Sequence, residues 1–212
     1  MNPVEQIVLW ADTLRDISAS GLLYSQNVYD RERYLKIQDI ALAMLAFATN
    51  ESLLEMEPLR APIFSRPTPL IGGDAAIINE KGEILLIQRA DNGKWAMPGG
   101  LLEVGETPAE GVLRETFEET GVRCRAVTLI GVFDSRLCGI ASRHHIYSIM
   151  FLCKPLEGGK IRKHQPTNEV LDTHWFPEND LPVDIDPGHI SRIPKAFRVW
   201  KGEKRVFFDE QG

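Results

Sequence analysis

The sequence has little cysteine for its length. Its 212 residues include three cysteines, Cys124, Cys138 and Cys153, and no two of them are spaced as C-x-x-C. An odd number of cysteines without that spacing is typical neither of a disulfide-linked scaffold nor of a structural zinc site. We therefore expect a cytoplasmic protein without structural disulfides.

Long hydrophobic runs and an excess of positive charge are also missing. The longest apolar run, residues 40–48, is too short to cross a bilayer, and Glu5, Asp12 and Asp16 interrupt any secretory signal at the start. The formal net charge is -6. Such a charge argues against a surface that neutralises nucleic-acid phosphates, although it is compatible with a local basic patch. We expect no membrane anchor and no DNA partner.

What the sequence does contain is an ordinary globular composition, with 43% hydrophobic and 25% charged residues. Its first third has apolar residues at helical spacing. One predicted helix ends at Gly21 and has the stripe Ile7, Trp10, Leu14 and Ile17; the next has the stripe Tyr34, Ile37, Ala41, Met44 and Ala48. The prolines within 58–69 favour a connector. We predict a small all-helical N-terminal domain, residues 1–64, and a second domain, residues 65–212.

Beyond the connector the apolar pattern changes from helical to strand-like. Residues 74–78 and 84–88 are short apolar runs separated by Asn79-Glu80-Lys81-Gly82, a turn sequence that predicts a β-hairpin. Further strands are predicted at 126–133, 146–153 and 173–176, with helices at 107–120 and 189–200. This irregular alternation favours a mixed α+β domain over a regular parallel sheet.

The helix predicted at 107–120 has both ends marked in the sequence. Thr107, Pro108 and Glu110 form a capping box with proline in the first turn, and Gly121 is the residue type most often found just past a helix end. On a helical wheel the residues divide into two faces. The predicted buried face consists of Ala109, Val112, Leu113, Thr116 and Thr120; a different face carries Glu115, Glu118 and Glu119.

The three glutamates repel one another, and a divalent cation would remove that conflict. Alone, such a cluster is more often a solvated acidic face, so the preceding residues decide. Gly99 and Gly100 allow close backbone approach and offer a carbonyl oxygen, and a loop then delivers Glu106. Oxygen donors without cysteine or histidine favour Mg²⁺ or Mn²⁺ over zinc. Arg114, four residues before Glu118, is predicted to pair with it and hold its rotamer.

The spacing of these residues is that of a known signature. Its members here are Gly100, Glu106, Arg114-Glu115, Glu118-Glu119 and Gly121-Val122, and with them the chain resembles the Nudix hydrolase family. The resemblance implies a Nudix-type α/β/α sandwich with a mixed sheet, preceded by the small helical domain. Thr116 departs from it, because the family usually has an aliphatic residue there; its hydroxyl is expected to bond back into the helix.

The N-terminal segments 21–24 and 29–34 are similar to the helical extension of a Nudix subgroup. That subgroup includes CDP-choline hydrolases and proteins described as ADP-ribose pyrophosphatases. The resemblance implies a Mg²⁺-dependent enzyme, with Mn²⁺ as the second candidate ion, that cleaves the diphosphate linkage of a nucleoside diphosphate derivative. Its products would be a nucleoside monophosphate and a phosphorylated moiety.

The resemblance also implies roles for the signature residues. It assigns metal binding to the Gly100 carbonyl, Glu115, Glu118, Glu119 and, as an outer contact, Glu106, with Arg114 as an orienting group. It leaves the general base open. Candidates are Glu115 and, on later loops, Glu157 and Glu169, of which Glu169 is preferred outside the helix. His144 and His145 are expected to be structural.

Two other functions stay open. A nucleoside triphosphate pyrophosphatase would use the same helix, and a non-catalytic sensor would bind a nucleotide derivative with one domain and DNA with the other. Residues 1–58 contain four Lys or Arg and nine Asp or Glu, a net charge of -5, which opposes DNA binding. We expect the helical domain to form a homodimer or to cap the substrate.

Overall fold

The computed structural model describes residues 3–64, 69–137, 146–161 and 169–209. Contacts within the chain divide it into two compact units, Met1–Thr68 and Pro69–Gly212. The boundary proposed from the sequence lies close to this division. In the part of the chain that the structure describes, no helix combines the length and the apolar character that a bilayer crossing requires.

The first unit begins with two long helices, α1 (Pro3–Tyr24) and α2 (Val28–Thr49). A short connection joins them, and they pack against each other as a helical hairpin. The Asn27 side chain accepts a hydrogen bond from the Asp30 N–H at 2.8 Å and so caps the start of α2. Asn50 ends α2 in the left-handed conformation, with φ 57°.

Gly21 does not end the first helix. That prediction is wrong, because α1 continues through Gly21 to Tyr24. A Cβ built on Gly21 would lie 2.2 Å from the Tyr34 ring of α2. Glycine at this position therefore allows the two helices to approach closely.

Both helices leave apolar side chains exposed. Leu14 packs into the small core of this unit, whereas Trp10 and Ile17, predicted on the same stripe, are 54% and 47% exposed. On α2, Ile40 and Phe47 share one face and are 53% and 78% exposed. Two long helices alone have too little core to cover all of their apolar residues.

After α2 the chain folds back onto the same unit. Helix α3 (Leu53–Met56) leads into a 3₁₀ turn (Glu57–Leu59) and a π-helical turn (Arg60–Phe64). The buried side chain of Gln38 donates from Nε2 to the Phe64 carbonyl at 3.0 Å. The connector predicted over 58–69 is thus structured as far as Phe64, and residues 65–68 lie outside the described residues.

The second unit contains two sheets. Their strands are β1 (Leu70–Ile77), β2 (Glu83–Arg89), β3 (Trp95–Ala96), β4 (Gly99–Leu101), β5 (Cys124–Asp134), β6 (Ile146–Pro155), β7 (Val170–Pro177) and β8 (Phe207–Phe208). The larger sheet has the order β4-β1-β6-β5-β8, with parallel pairs β1–β6 and β5–β8. The smaller sheet, β3-β2-β7, is antiparallel. The larger sheet is therefore mixed, as predicted.

The predicted hairpin at 74–88 forms its turn but not its strand pairing. The Asn79 N–H donates to the Glu83 carbonyl at 3.0 Å, and Ile78 and Ile84 form one bridge. Beyond that bridge β1 and β2 enter different sheets. The hairpin prediction is therefore wrong. Strand β1 pairs with β4 and β6, and β2 pairs with β3 and β7.

Helices cover both faces of the sheets. They are α4 (Pro108–Thr120), α5 (Pro187–Ile190) and α6 (Ile193–Trp200). Alternate residues of β1 point into two cores: Ala76 lies with Phe197 of α6 in one core, and Ala75 and Ile77 lie with Val112 of α4 in the other. This layering confirms the α/β/α sandwich.

The helix predicted at 189–200 is in fact two. Helix α5 ends at Ile190 and α6 begins at Ile193. Pro194, in the first turn of α6, has no N–H to continue a helix from α5, which explains the break. Across the break the Arg192 N–H donates to the His189 carbonyl at 3.0 Å, so the two residues stay close.

Candidate functional site

The glutamate-bearing helix α4 has the ends that its sequence predicts. The Thr107 N–H donates to Glu110 Oε2 at 2.8 Å, and the Glu110 N–H donates to the Thr107 hydroxyl at 3.3 Å. At the other end Gly121 has φ 66° and donates its N–H to the Phe117 carbonyl at 2.8 Å. Local capping thus sets where the helix starts and therefore which way each glutamate points.

The buried face of α4 is confirmed at Val112, Thr116 and Thr120. The prediction that the Thr116 hydroxyl bonds back into the helix is wrong, because that enclosed hydroxyl makes no such bond. The Thr120 hydroxyl does so instead, donating to the Thr116 carbonyl at 2.6 Å and accepting from the Val122 N–H at 3.0 Å. The Thr120 hydroxyl therefore links the last turn of α4 to the residues that lead into β5.

Arg114 is the centre of an ion-pair network. Its guanidinium binds both carboxylate oxygens of Glu106, donating from Nη2 to Oε1 at 2.9 Å and from Nε to Oε2 at 3.1 Å. It also reaches Glu115 Oε1 at 2.8 Å, and the predicted partner Glu118 at 3.3 Å. The nearby guanidinium holds the pKa of Glu106 below its ordinary value. The bidentate contact with Glu106 therefore fixes the orientation of Arg114, and Arg114 in turn holds the Glu115 carboxylate.

Gly100 and Glu115 lie against each other. A Cβ built on Gly100 would come within 2.6 Å of the Glu115 carboxyl carbon. Glycine is therefore needed for this carboxylate to pack on the backbone. The fold thus brings together two groups predicted as donors, one from β4 and one from α4. Glu118, in contrast, is 55% exposed in its side chain.

Glu119 is half-buried and, like Glu115, contacts the backbone of residues 99–100. Its Oε2 accepts the Gly99 N–H at 2.9 Å. Burial raises the pKa of Glu119 to about 8, and the negative charges of Glu115 and Glu169 act in the same direction, against the Gly99 N–H and Arg89. A buried carboxylate among other carboxylates is stabilised in its charged form by a bound cation.

A cavity of about 780 Å³ opens beside these groups. Its wall includes Gly99, Gly100, Glu119 and Glu169. Of the candidates for general base, Glu169 therefore faces the same space as the buried glutamate. Glu157 belongs to the turn Glu157–Gly159, away from this wall. His144 and His145 lie outside the described residues.

The part of the cavity wall that Asp74, Asp186, His189 and Arg192 form was not predicted. Asp74 of β1 accepts hydrogen bonds from the Ser148 hydroxyl and from Arg192 Nη1, the latter at 3.0 Å. Asn92 donates to Asp186 at 2.9 Å, and Asp186 in turn caps the first turn of α5. One usable signal in the sequence is Asp74, a charged residue within the apolar strand β1. The hydrogen-bonded partners in this part of the wall are far apart in the sequence, so the sequence alone does not predict their pairing.

The donors fit a hard divalent cation in their chemistry. They are carboxylates and a backbone carbonyl, and Glu115 and Glu119 converge on residues 99–100. Among the described residues, no three acidic, histidine or cysteine side chains are already grouped as metal ligands. Glu115 is instead paired with Arg114. Grouping these donors around a cation would therefore require the Glu115 carboxylate to turn away from Arg114.

Comparison with protein families supports the same assignment. The family model described as "NUDIX domain" matches residues 71–196. The model described as "UDP-X-like, N-terminal oligomerisation domain" matches residues 5–59. The two matches fall in the two compact units.

Individual proteins agree with these family matches. YjhB of Bacillus subtilis (strain 168), whose name assigns it provisionally to the ADP-ribose pyrophosphatases, is 31% identical over 173 residues, 81% of each chain. The ADP-ribose pyrophosphatase of Methanocaldococcus jannaschii is 35% identical over 142 residues, 66% of this chain and 78% of the relative. A crystal structure of UDP-X diphosphatase matches with a TM-score of 0.61 and 28% identity, over 97% of this chain and 99% of that one. The chain therefore belongs to the Nudix hydrolase family and carries a UDP-X-like helical region ahead of its hydrolase domain.

Proposed function

We propose that the chain is a divalent-cation-dependent pyrophosphohydrolase of nucleoside diphosphate derivatives, with ADP-ribose as the first candidate substrate. The observation that carries the proposal is the cavity of about 780 Å³ with Gly100, Glu119 and Glu169 in its wall. Its volume suits a nucleotide-sized ligand. Two of the similar proteins are named as ADP-ribose pyrophosphatase and UDP-X diphosphatase, and both names refer to diphosphate compounds.

The residues that would hold Mg²⁺ or Mn²⁺ are the Gly100 carbonyl, Glu115, Glu118 and Glu119. When bound, the cation neutralises the diphosphate oxygens and lowers the pKa of the attacking water. Glu106 and Arg114 position the Glu115 carboxylate through the ion pairs at 2.9 and 2.8 Å. The chain's part in catalysis is thus to place charges and water in line with the bond that breaks.

We assign the general base to Glu169. It lies in the cavity wall, and its negative charge contributes to the raised pKa of Glu119. A carboxylate that binds the cation is a weak base, so a carboxylate outside the ligand set suits the task better. In the reaction the water oxygen bonds to one phosphorus, the bridging P–O bond breaks, and the water proton passes to Glu169. ADP-ribose would yield AMP and ribose 5-phosphate, and CDP-choline would yield CMP and phosphocholine.

A substrate panel tests the proposed substrate class. We expect the purified protein with Mg²⁺ to hydrolyse ADP-ribose, CDP-choline or UDP-linked sugars at least about tenfold faster, in kcat/KM, than nucleoside triphosphates. The products would be identified by anion-exchange chromatography. A chelator should abolish the reaction, and Mn²⁺ should restore it. Activity confined to triphosphates would contradict the substrate class.

We further propose that the helical unit forms a homodimer. Support comes from the family match described as an oligomerisation domain and from the exposed apolar faces of α1 and α2. Light scattering should therefore give twice the chain mass. Phe47→Glu, at a 78% exposed position, should shift the protein to monomer. Val183→Glu, at a 99% exposed position of the other unit, is the control that should leave the mass unchanged. A monomeric wild type would refute the proposal.

A further inference from the structure

One cavity-lining side chain has no role in the hydrolysis proposed above. His189 lies in α5, is 8% exposed and forms part of the cavity wall. Its backbone N–H donates to the Asp186 carbonyl at 2.8 Å, so the short helix holds the residue in place. The imidazole is therefore a fixed group on the wall that carries Asp74 and Arg192.

The contacts of the ring determine which nitrogen carries the proton. The Met97 N–H donates to His189 Nδ1 at 3.4 Å, so Nδ1 is the acceptor. Burial holds the pKa of His189 below its ordinary value, against the charge of Asp74, so the ring is neutral at neutral pH. A neutral imidazole that accepts at Nδ1 carries its proton on Nε2.

The surroundings of His189 Nε2 indicate where this N–H is directed. Among the described residues it has no hydrogen-bond partner, and yet Nε2 is not one of the fully enclosed side-chain atoms that lack one. It therefore retains some accessible surface. Since the ring lines the cavity, the accessible side of Nε2 is the cavity side. A donor held in this way is satisfied by water or by a ligand oxygen.

We propose that His189 is a substrate-binding residue that donates its Nε2–H to an oxygen of the bound nucleotide derivative. The proposal rests on the function proposed above, because it takes the cavity to be the substrate site. The nearby charges are already engaged: Asp74 is bound by Arg192, and Asp186 is bound by Asn92. The imidazole N–H is therefore a neutral donor that this wall offers to a ligand.

Two amide variants separate this role from simple anchoring of the loop at Met97. His189→Asn keeps an oxygen near the position of Nδ1, but its shorter amide NH₂ does not reach the position of Nε2. His189→Gln instead places its amide NH₂ near the position of Nε2. We expect His189→Asn to raise KM for ADP-ribose about tenfold with kcat within twofold of wild type, and His189→Gln to restore most of the loss. Thermal unfolding of each variant checks that it is folded.

A binding measurement makes the test independent of turnover. Calorimetric titration of ADP-ribose in a chelator should show the same order of affinity: wild type, then Gln, then Asn. Wild-type KM and affinity in His189→Asn, or an equal defect in both variants, would overturn the proposal. Binding without cleavage by the wild type would refute the proposed function alone. A wild type that neither binds nor cleaves any diphosphate derivative would refute both.

Discussion

Glu118→Gln is expected to reduce kcat by about 10³-fold while the protein stays folded. The amide cannot supply the negative charge that a hard cation and a developing phosphate charge require. The side chain of Glu118 is 55% exposed, and its pairing with Arg114, at 3.3 Å, is the longest of that residue's ion pairs. Exposed pairs of this kind contribute little to stability. The test combines steady-state kinetics on the preferred diphosphate substrate with thermal unfolding.

Two further variants interpret the result. Glu103→Gln is the control. Glu103 is exposed and lies between β4 and α4, and its substitution should leave kcat unchanged. Glu169→Gln should lower kcat by about 10²-fold, as loss of a general base does. Excess Mg²⁺ should recover part of the Glu118→Gln activity and none of the Glu169→Gln activity. Near-normal rates in Glu118→Gln would remove that residue from the ligand set, and recovery of Glu169→Gln by Mg²⁺ would make it a ligand.

Gly99→Ala is expected to lower the free energy of unfolding by about 3 kcal/mol, because the added methyl has no space. Its Cβ would lie 2.1 Å from the Gly73 carbonyl oxygen and 3.0 Å from the Asp74 Cα. Both are backbone atoms of β1, which pairs with β4 at this position, so a rotamer change cannot relieve the clash. Tm should fall by about 10 °C.

Gly93→Ala is the matched control for this substitution. Gly93 has φ 71°, and a Cβ there would meet no atom within 4 Å. We expect a loss of about 1 kcal/mol from the left-handed backbone alone. Chemical denaturation gives the free energy of unfolding of both variants. Gly93→Ala measures the cost of the backbone conformation alone, and Gly99→Ala adds the clash with β1. Equal losses would show that the backbone of β1 and β4 adjusts freely at Gly99.

The sequence predicted those parts of the site that depend on near neighbours in the chain. The capping box at Thr107 and the stop at Gly121 are local interactions, and α4 has these ends. The helical period alone identified Val112, Thr116 and Thr120 as buried. For the same reason the three glutamates could be assigned to one helix before any fold was known.

The sequence predicted less where distant residues compete for the same group. The sequence pairs Arg114 with Glu118 on its own helix, but the fold also brings Glu106 from the preceding loop into a bidentate pair with it. The turn at Asn79 suggested a hairpin, but parallel pairing with β6 takes β1 away from β2. Gly21 suggested a helix end, but its role is to meet Tyr34 from another helix. In each case the deciding partner lies outside the helix or turn whose pattern was read.

The part of the cavity wall that contains Asp74, His189 and Arg192 depends most on partners that are distant in the sequence. Asp74 and Arg192 form an ion pair at 3.0 Å although they are 118 positions apart. His189 reaches Met97 across 92 positions. Single polar residues in apolar or turn-rich segments have no spacing that links them, so no pattern in one sequence reveals that they share a surface.

The two cores on either side of β1 support different walls of the cavity. Helix α4, with Glu115 and Glu119, packs through Val112 on one core, and α6, next to His189, packs through Phe197 on the other. Substitutions in the core under α6 can therefore change that part of the pocket while α4 keeps its own packing. Such independence would allow descendants of one ancestral enzyme to diversify in selectivity while conserving the same bond-breaking apparatus.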